Sequence, residues 1–238
     1  MDNRFVFVMP AFNAKSTVKQ TLMSMAAQCY DSWRAVILDD VSTDGTADFI
    51  EETSQSLGIS DKITLIRNTD KKWEVENVVS GISMCDEDEI VCRLDADDWL
   101  CDLDALAIIN DRYKKLPIDT LWTAHRWSFT NINISAHLPR GADPYIHPWV
   151  SSHFKTFRKS VITGVDDRNF RGQDGSYFKR IGDQAIYLPV LARSKGWHFE
   201  PIVTYHYTID LDPKNFHTDD ARFQKAEAEY LRQRGFVS

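Results

Sequence analysis

At 238 residues, with 43% hydrophobic and 12% aromatic side chains, the chain holds enough apolar material for a packed core, which excludes a disordered, collagenous or low-complexity polypeptide. Its 28 Lys and Arg against 35 Asp and Glu leave a net charge of −7, which opposes broad nucleic-acid affinity. The longest apolar runs fall far short of the roughly 18 residues of a membrane-spanning helix, and the opening residues carry no basic, apolar secretory pattern. One globular unit spanning residues 1–238, in the cytoplasm, is expected. Cys29, Cys85, Cys92 and Cys101 have neither CxxC spacing nor paired histidines nearby, so they are expected to be buried, reduced thiols. The sequon Asn133-Ile134-Ser135 carries no meaning without secretion.

Residues 4–9 are a continuous β-favouring run, and Val18, Leu22, Met25 and Cys29 then recur on one face of a helix. Residues 34–38 repeat the strand and end in Asp39-Asp40. Ser42-Thr43-Asp44-Gly45-Thr46 supplies helix-start chemistry ahead of Phe49, Ile50 and Leu57. Residues 63–66 read as a third strand, followed by Val75, Val78, Val79 and Ile82 at i, i+3, i+4, i+7. Residues 89–94 make a fourth strand that runs into Asp95-Ala96-Asp97-Asp98, and Leu106, Ile109 and Tyr113 mark a helix closing before Pro117. Four strand-then-helix units predict an α/β fold with a mostly parallel, Rossmann-like sheet flanked by helices. Ligands of such sheets lie at the carboxyl ends of the strands.

Beyond residue 120 the periodicity weakens. A strand is predicted over residues 120–124, loops over 131–148, a helix over 151–160 and another opening at Gly182-Asp183 that Pro189 should kink. Residues 202–207 read as strand and 219–234 as a terminal helix. Residues 1–120 hold 12 basic and 23 acidic side chains, whereas residues 150–200 hold nine basic and five acidic, so the second half is the better match for an anionic partner or is simply a solvated face.

Asp39-Asp40 and Asp95-Ala96-Asp97-Asp98 each end a predicted strand, so a parallel sheet brings at least four carboxylates to one edge. Like charges so placed raise one another's pKa and destabilise the fold unless donors or a cation offset them. All-oxygen ligands favour Mg²⁺ or Mn²⁺. An EF-hand starting at Asp95 fails, because Leu100 stands at its sixth position and Leu106 at its twelfth. Singly, Asp39, Asp98, Asp102 and Asp104 read as helix caps or strand ends; the pair Asp95 and Asp97 does not.

Four stretches in this order, residues 9–14 (Met-Pro-Ala-Phe-Asn-Ala), 21–30, 37–46 (Ile-Leu-Asp-Asp-Val-Ser-Thr-Asp-Gly-Thr) and 92–98 (Cys-Arg-Leu-Asp-Ala-Asp-Asp), closely resemble family 2 glycosyltransferases of the GT-A fold. The resemblance implies a nucleotide-sugar donor, usually a UDP-sugar, bound by residues 1–120, with an acceptor-binding remainder in 121–238. It implies that Pro10, Ala11, Phe12 and Asn13 line the nucleoside and that Asp40 accepts a hydrogen bond from the base. Asp95, with Ala96 beside it, would meet the ribose or a metal-bound water, and Asp97 would ligate a Mn²⁺ or Mg²⁺ that bridges the diphosphate. Arg93 would balance the acidic cluster. Asp183, in Lys179-Arg180-Ile181-Gly182-Asp183-Gln184, matches the family's general base for inverting transfer, with Asp174 second to it. His206 resembles a position of extra metal or phosphate contact, although a structural histidine is the plainer reading.

The chain departs from the family at Val41, where glycine is common, at Lys15 and at Glu76, which leaves the diphosphate contact open between candidates such as Lys72. Residues 149–159, with Phe154, Lys155, Phe157, Arg158 and Lys159, fit an acceptor surface or a core helix equally. The acceptor expected is a saccharide or glycoconjugate, with hydroxylated DNA bases less favoured. A nucleotidyltransferase would carry a glycine-rich phosphate loop, and residues 9–15 have no glycine. A non-catalytic nucleotide-sugar-binding module is the alternative of another class.

Overall fold

In a computed structural model that describes residues 2–209 and 218–238, the first half alternates strand and helix as predicted. β1 (Arg4–Ala11), α1 (Val18–Ala26), β2 (Trp33–Asp39), α2 (Thr46–Ser56), β3 (Ile63–Arg67), α3 (Trp73–Ser83) and β4 (Glu89–Arg93) follow in turn. After the short β5 (Trp99–Leu100) and α4 (Ala105–Lys115) come β6 (Thr120–Trp127), β7 (Lys155–Arg158), α5 (Lys159–Ile162), α6 (Gly182–Arg193), β8 (Trp197–Tyr207) and α7 (Thr218–Arg234). The strands form one sheet in the order β3-β2-β1-β4-β7-β6-β8-β5. β3, β2, β1 and β4 run parallel, β7 is antiparallel to both its neighbours, β6 and β8 are parallel, and β5 is antiparallel to β8. Six strands therefore end at one edge of the sheet, and β5 and β7 start there.

Strand side chains alternate between faces, and the central strands here are apolar on both. Phe5, Phe7 and Met9 of β1 join Ala35, Ile37, Ile90 and Cys92 against Val18, Leu22 and Met25 of α1, Ile50 of α2 and Leu106 and Ile109 of α4. Val6 and Val8 face the other way, with Val36, Leu38 and Val91, onto Val75, Val78 and Ile82 of α3 and onto α6. Gly81 lets α3 lie close on β1, since a Cβ there would meet Val8 Cγ1 at 2.6 Å. No helix among the described residues is long and apolar enough to cross a membrane.

Two expectations are corrected. The helix predicted over 151–160 is the strand β7, with only the short α5 after it; Lys155, Thr156 and Phe157 are buried between β4 and β6, so no alternation marks the strand. Cys85 and Cys92 are buried free thiols, but Cys29 lies beyond the end of α1 and is exposed, and Cys101 is half-buried. α6 continues four residues past Pro189, whose missing N–H leaves one rung of the helix unmade.

Candidate active site

The carboxyl edge of the sheet opens into a cleft of about 1650 Å³. That exceeds the ~300–1000 Å³ of an ordinary small-ligand site, leaving room for two ligands side by side. Its floor is built by chain turns that leave strand ends: residues 10–14 after β1, Asp40 after β2 and residues 95–98 after β4. Residues 73–77 of α3, the start of α6 and one face of α7 close it. Pro10, Ala11, Phe12 and Asn13 all line it; Phe12 is 51% exposed, while Asn13 holds φ at 49° and accepts the Thr43 N–H on its side-chain oxygen at 2.9 Å.

Asp40 is nearly inaccessible, and its carboxylate is fully engaged. Oδ1 accepts the Lys72 N–H at 2.8 Å and Asn68 Nδ2 at 3.0 Å; Oδ2 accepts the Trp73 N–H at 2.9 Å and lies 3.2 Å from Lys71 Nζ. A carboxylate offers about four lone-pair sites, so all are taken. Burial opposes ionisation of Asp40, but these donors hold its pKa below the usual carboxylate value. A ligand N–H reaches Asp40 only by displacing one of them, and Lys71, half-buried over the exposed Phe12 ring, is the movable one. Lys72, expected to face the diphosphate, does not line the cleft; Lys71 does.

Arg93, 2% exposed, lies beneath the acidic turn rather than in the cleft. Its Nη1 donates to the Val8 carbonyl at 3.0 Å, and its Nη2 reaches Glu74 Oε1 at 3.1 Å and Asp95 Oδ1 at 2.9 Å. Glu74 is pushed up to about 7 by burial and by the charges of Asp95 and Asp183, against the pull of Arg93. Asp97 and Ala96 line the cleft, Asp97 from an exposed position. Asp98 is buried, bonded by Tyr205 Oη at 2.7 Å and the Thr208 N–H at 2.7 Å, and is pushed up to about 9 by burial together with Asp95 and Asp97.

Asp95, Asp98 and His153 each bring one ligand atom within 4.8 Å of the others. Two carboxylates and an imidazole, in a turn where burial and the neighbouring acids raise the pKa of Asp98, fit a divalent cation, with the carboxylates suiting Mg²⁺ or Mn²⁺ and the imidazole favouring Mn²⁺ of the two. Asp97 stands in the same turn but outside that trio.

Asp183 occupies the first turn of α6, where the helix dipole favours an anion. Lys155 Nζ, 1% exposed, donates to Oδ1 at 2.5 Å, and His153 Nε2 stands 3.3 Å from Oδ2. Burial alone would protonate Asp183, but Lys155 and then His153 hold its pKa well below the usual carboxylate range. His153 thus links Asp183 to Asp95 and Asp98.

Two more expected residues stand elsewhere. Asp174 sits in an exposed turn, accepting the Ser176 N–H at 3.0 Å, and does not line the cleft. His206 stacks on Trp99 at 3.8 Å between ring centroids, with Nε2 3.1 Å from Ser128 Oγ, and lines a neighbouring pocket. In residues 149–159, Phe154 and Phe157 are core, whereas Trp149 and His153 line the cleft and Lys155 meets Asp183. Glu74, His153 and Lys71 are among the cleft residues that sequence reasoning missed; none lies in a strand-end motif, and only the basic-aromatic run pointed toward His153.

Residues 6–164 match the family model described as glycosyl transferase family 2. The chain belongs to this family. Over 171 residues it is 24% identical to TuaG of Bacillus subtilis strain 168, named as a teichuronic acid biosynthesis glycosyltransferase, covering 70% of this chain and 63% of that one. Over 91 residues it is 31% identical to the glycosyltransferase named EpsE of the same strain, covering 38% of this chain and 32% of the relative. The chain thus spans less than two thirds of either relative. The structure of Staphylococcus aureus TarS residues 1–349 in complex with UDP-GlcNAc is similar with a TM-score of 0.70 at 12% identity, over 99% of this chain and 68% of that one. The mannosyltransferase PcManGT from Pyrobaculum calidifontis, in complex with GDP-Man and Mn²⁺, gives 0.67 at 15% identity, over 100% and 66%. The shared fold is the GT-A arrangement of a curled, mostly parallel sheet flanked by helices.

Proposed function

We propose that this chain is an inverting, metal-dependent glycosyltransferase that moves a sugar from a nucleotide-sugar donor, a UDP-sugar by preference, to a hydroxyl of a saccharide or glycoconjugate. The observation that carries this reading is the placement of Asp183, held ionised by Lys155 and His153, across one cleft from the acidic turn at 95–98. In this reading residues 1–120 hold the donor and 121–238 receive the acceptor. Neighbours of the same fold in complex with UDP-GlcNAc and with GDP-Man and Mn²⁺ support it.

The nucleoside lies along Pro10–Asn13, and its base N–H takes the place of Lys71 on Asp40. A divalent cation held by Asp95, Asp98 and His153, with Asp97 in the same turn facing the cleft, would neutralise charge on the departing diphosphate. Arg93 fixes Asp95 and Glu74 from below. Asp183 accepts the acceptor hydroxyl proton as that oxygen bonds to the anomeric carbon and the bond to the diphosphate breaks. A carboxylate held so acidic is a weak base toward an intact hydroxyl, so the proton moves late, once the forming C–O bond has made it acidic. Lys155, buried against Asp183, keeps that carboxylate oriented.

Thermal-shift measurements with UDP-glucose, UDP-GlcNAc and GDP-mannose, each with and without Mn²⁺, are expected to give a Mn²⁺-dependent shift with at least one donor. Asp183→Asn is expected to bind that donor unchanged while turnover falls by about 10²–10⁴-fold. Full turnover in Asp183→Asn, or no shift with any donor, overturns the reading.

A further inference from the structure

A second pocket, of about 240 Å³, opens beside the cleft where β6 and β8 end, lined by Arg126, Trp127, Phe129, Thr130, Asn131 and His206. Phe129 lines both cavities, so they share a wall. Arg126 and His206 are register partners on the parallel strands β6 and β8, and His206 pairs in turn with Trp99, next to the acidic turn. The pocket therefore stands on the same sheet edge as Asp95–Asp98, on the side of the second half of the chain.

Its lining differs in charge from the cleft's. Asp40, Glu74, Asp95, Asp97, Asp98 and Asp183 line the cleft together with Lys71, Lys179, Arg180 and Lys225, whereas among the described residues the side pocket is lined by Arg126 and by no acidic side chain. The Arg126 guanidinium is exposed, with no hydrogen-bond or ion-pair partner among the described residues. A planar guanidinium left open is suited to bidentate capture of a carboxylate or phosphate. An anionic group in this pocket meets that guanidinium and, among the described lining residues, no carboxylate.

Phe129 adds an apolar face. It is 86% exposed and holds φ at 63°, so it pays neither into the core nor into backbone comfort. An aromatic ring so displayed between two cavities offers a platform for the C–H face of a pyranose, with the Thr130 and Asn131 side chains able to bond its hydroxyls.

We propose that this pocket is the acceptor subsite for a saccharide carrying a carboxylate or phosphate, with Arg126 taking the anionic group and Phe129 stacking on the sugar. The inference rests on the glycosyl-transfer reading and adds the acceptor's chemical class. Binding is read by NMR titration of the full chain, with UDP and Mn²⁺ present, using p-nitrophenyl β-D-glucuronide against p-nitrophenyl β-D-glucoside, and glucose 6-phosphate against glucose. At least one charged probe is expected to bind about tenfold more tightly than its neutral partner. A preference for the glucuronide identifies a carboxylate, and one for the sugar phosphate identifies a phosphate. Arg126→Ala removes the preference, Arg126→Lys keeps part of it, and Phe129→Ala weakens charged and neutral sugars alike; melting temperatures of all three match the wild type, since both side chains are exposed. Equal binding of charged and neutral probes, or a preference that survives Arg126→Ala, overturns the proposal. Donor shifts measured on the same preparation separate the two readings: no donor binding with the anion preference intact sinks glycosyl transfer and the acceptor role, and leaves an anion site.

Discussion

Val41 follows the fully bonded Asp40 and holds φ at 64°, where a side chain's Cβ crowds the next carbonyl at about 1–2 kcal/mol. The residue is β-branched and 36% exposed, so little burial offsets that strain. Asn13, Trp73 and Phe129 share the left-handed backbone, and all three line the cleft. Strain of this kind concentrates where surrounding structure fixes a site's geometry. Glycine is the residue that the sequence resemblance leads one to expect at this position, and the backbone angle gives that expectation a physical reason. Val41→Gly is expected to raise stability by about 1 kcal/mol, the relief of strain less the added chain entropy of glycine. For a chain of this length the melting temperature would rise by about 2–4 °C. A denaturant titration giving equal or lower stability would contradict a strained turn at this position.

At the scale of elements, α3 and α6 begin against one another. The Glu74 carboxylate, one residue into α3, lies so close to Gly182 that an ideal Cβ there would meet Oε1 at 1.9 Å. Gly182→Ala must therefore push Glu74 away from Arg93, which among the described residues has Asp95 as its other ion-pair partner and is itself buried. Separating a buried charge from its partner is costly, and the substitution is expected to destabilise by about 2 kcal/mol. In a Glu74→Ala background the obstacle is gone, and alanine's better helix propensity makes Gly182→Ala neutral or stabilising by up to about 1 kcal/mol. Calorimetric melts of the four proteins in this cycle check the change of sign; additive losses would show that Glu74 and Gly182 do not meet. Neither partner was legible in the sequence, because the contact joins residues more than a hundred positions apart. Strand-end aspartates were legible, because a parallel sheet gathers its strand ends wherever the helices go. β7 was not: a strand buried on both faces has no alternating pattern, and its aromatic spacing mimicked a helix. Lys155 and His153 were thereby read on the wrong element, although their antiparallel entry at the site edge is what delivers them to Asp183.

Across the whole molecule, buried titratable groups tie stability to pH in opposite directions. His125, 1% exposed, is fixed between two neighbours: Ser135 Oγ lies 3.1 Å from Nδ1, and the Trp127 Nε1–H donates to Nε2 at 3.2 Å. A second proton on the ring would abolish the bond from Trp127. Burial first, then the neighbouring charges of His153 and Lys155, lower its pKa from 6.5 to about 4. The unfolded chain therefore takes up a proton at His125 before the folded chain does, so this residue's contribution is intact above pH 6.5 and is lost as pH falls from 6.5 toward 4. The full loss is about 3 kcal/mol. Asp98, raised to about 9, and Glu74, raised to about 7, act the other way, since the unfolded chain releases their protons first as pH rises. Wild-type stability is the sum of these slopes, so the informative quantity is its difference from His125→Gln, whose amide can still bond Trp127 and Ser135 but does not titrate. Urea titrations at intervals between pH 4 and 7.5 are expected to show the wild type losing about 3 kcal/mol relative to His125→Gln on acidification. Parallel curves would mean that His125 titrates alike in the folded and unfolded chain.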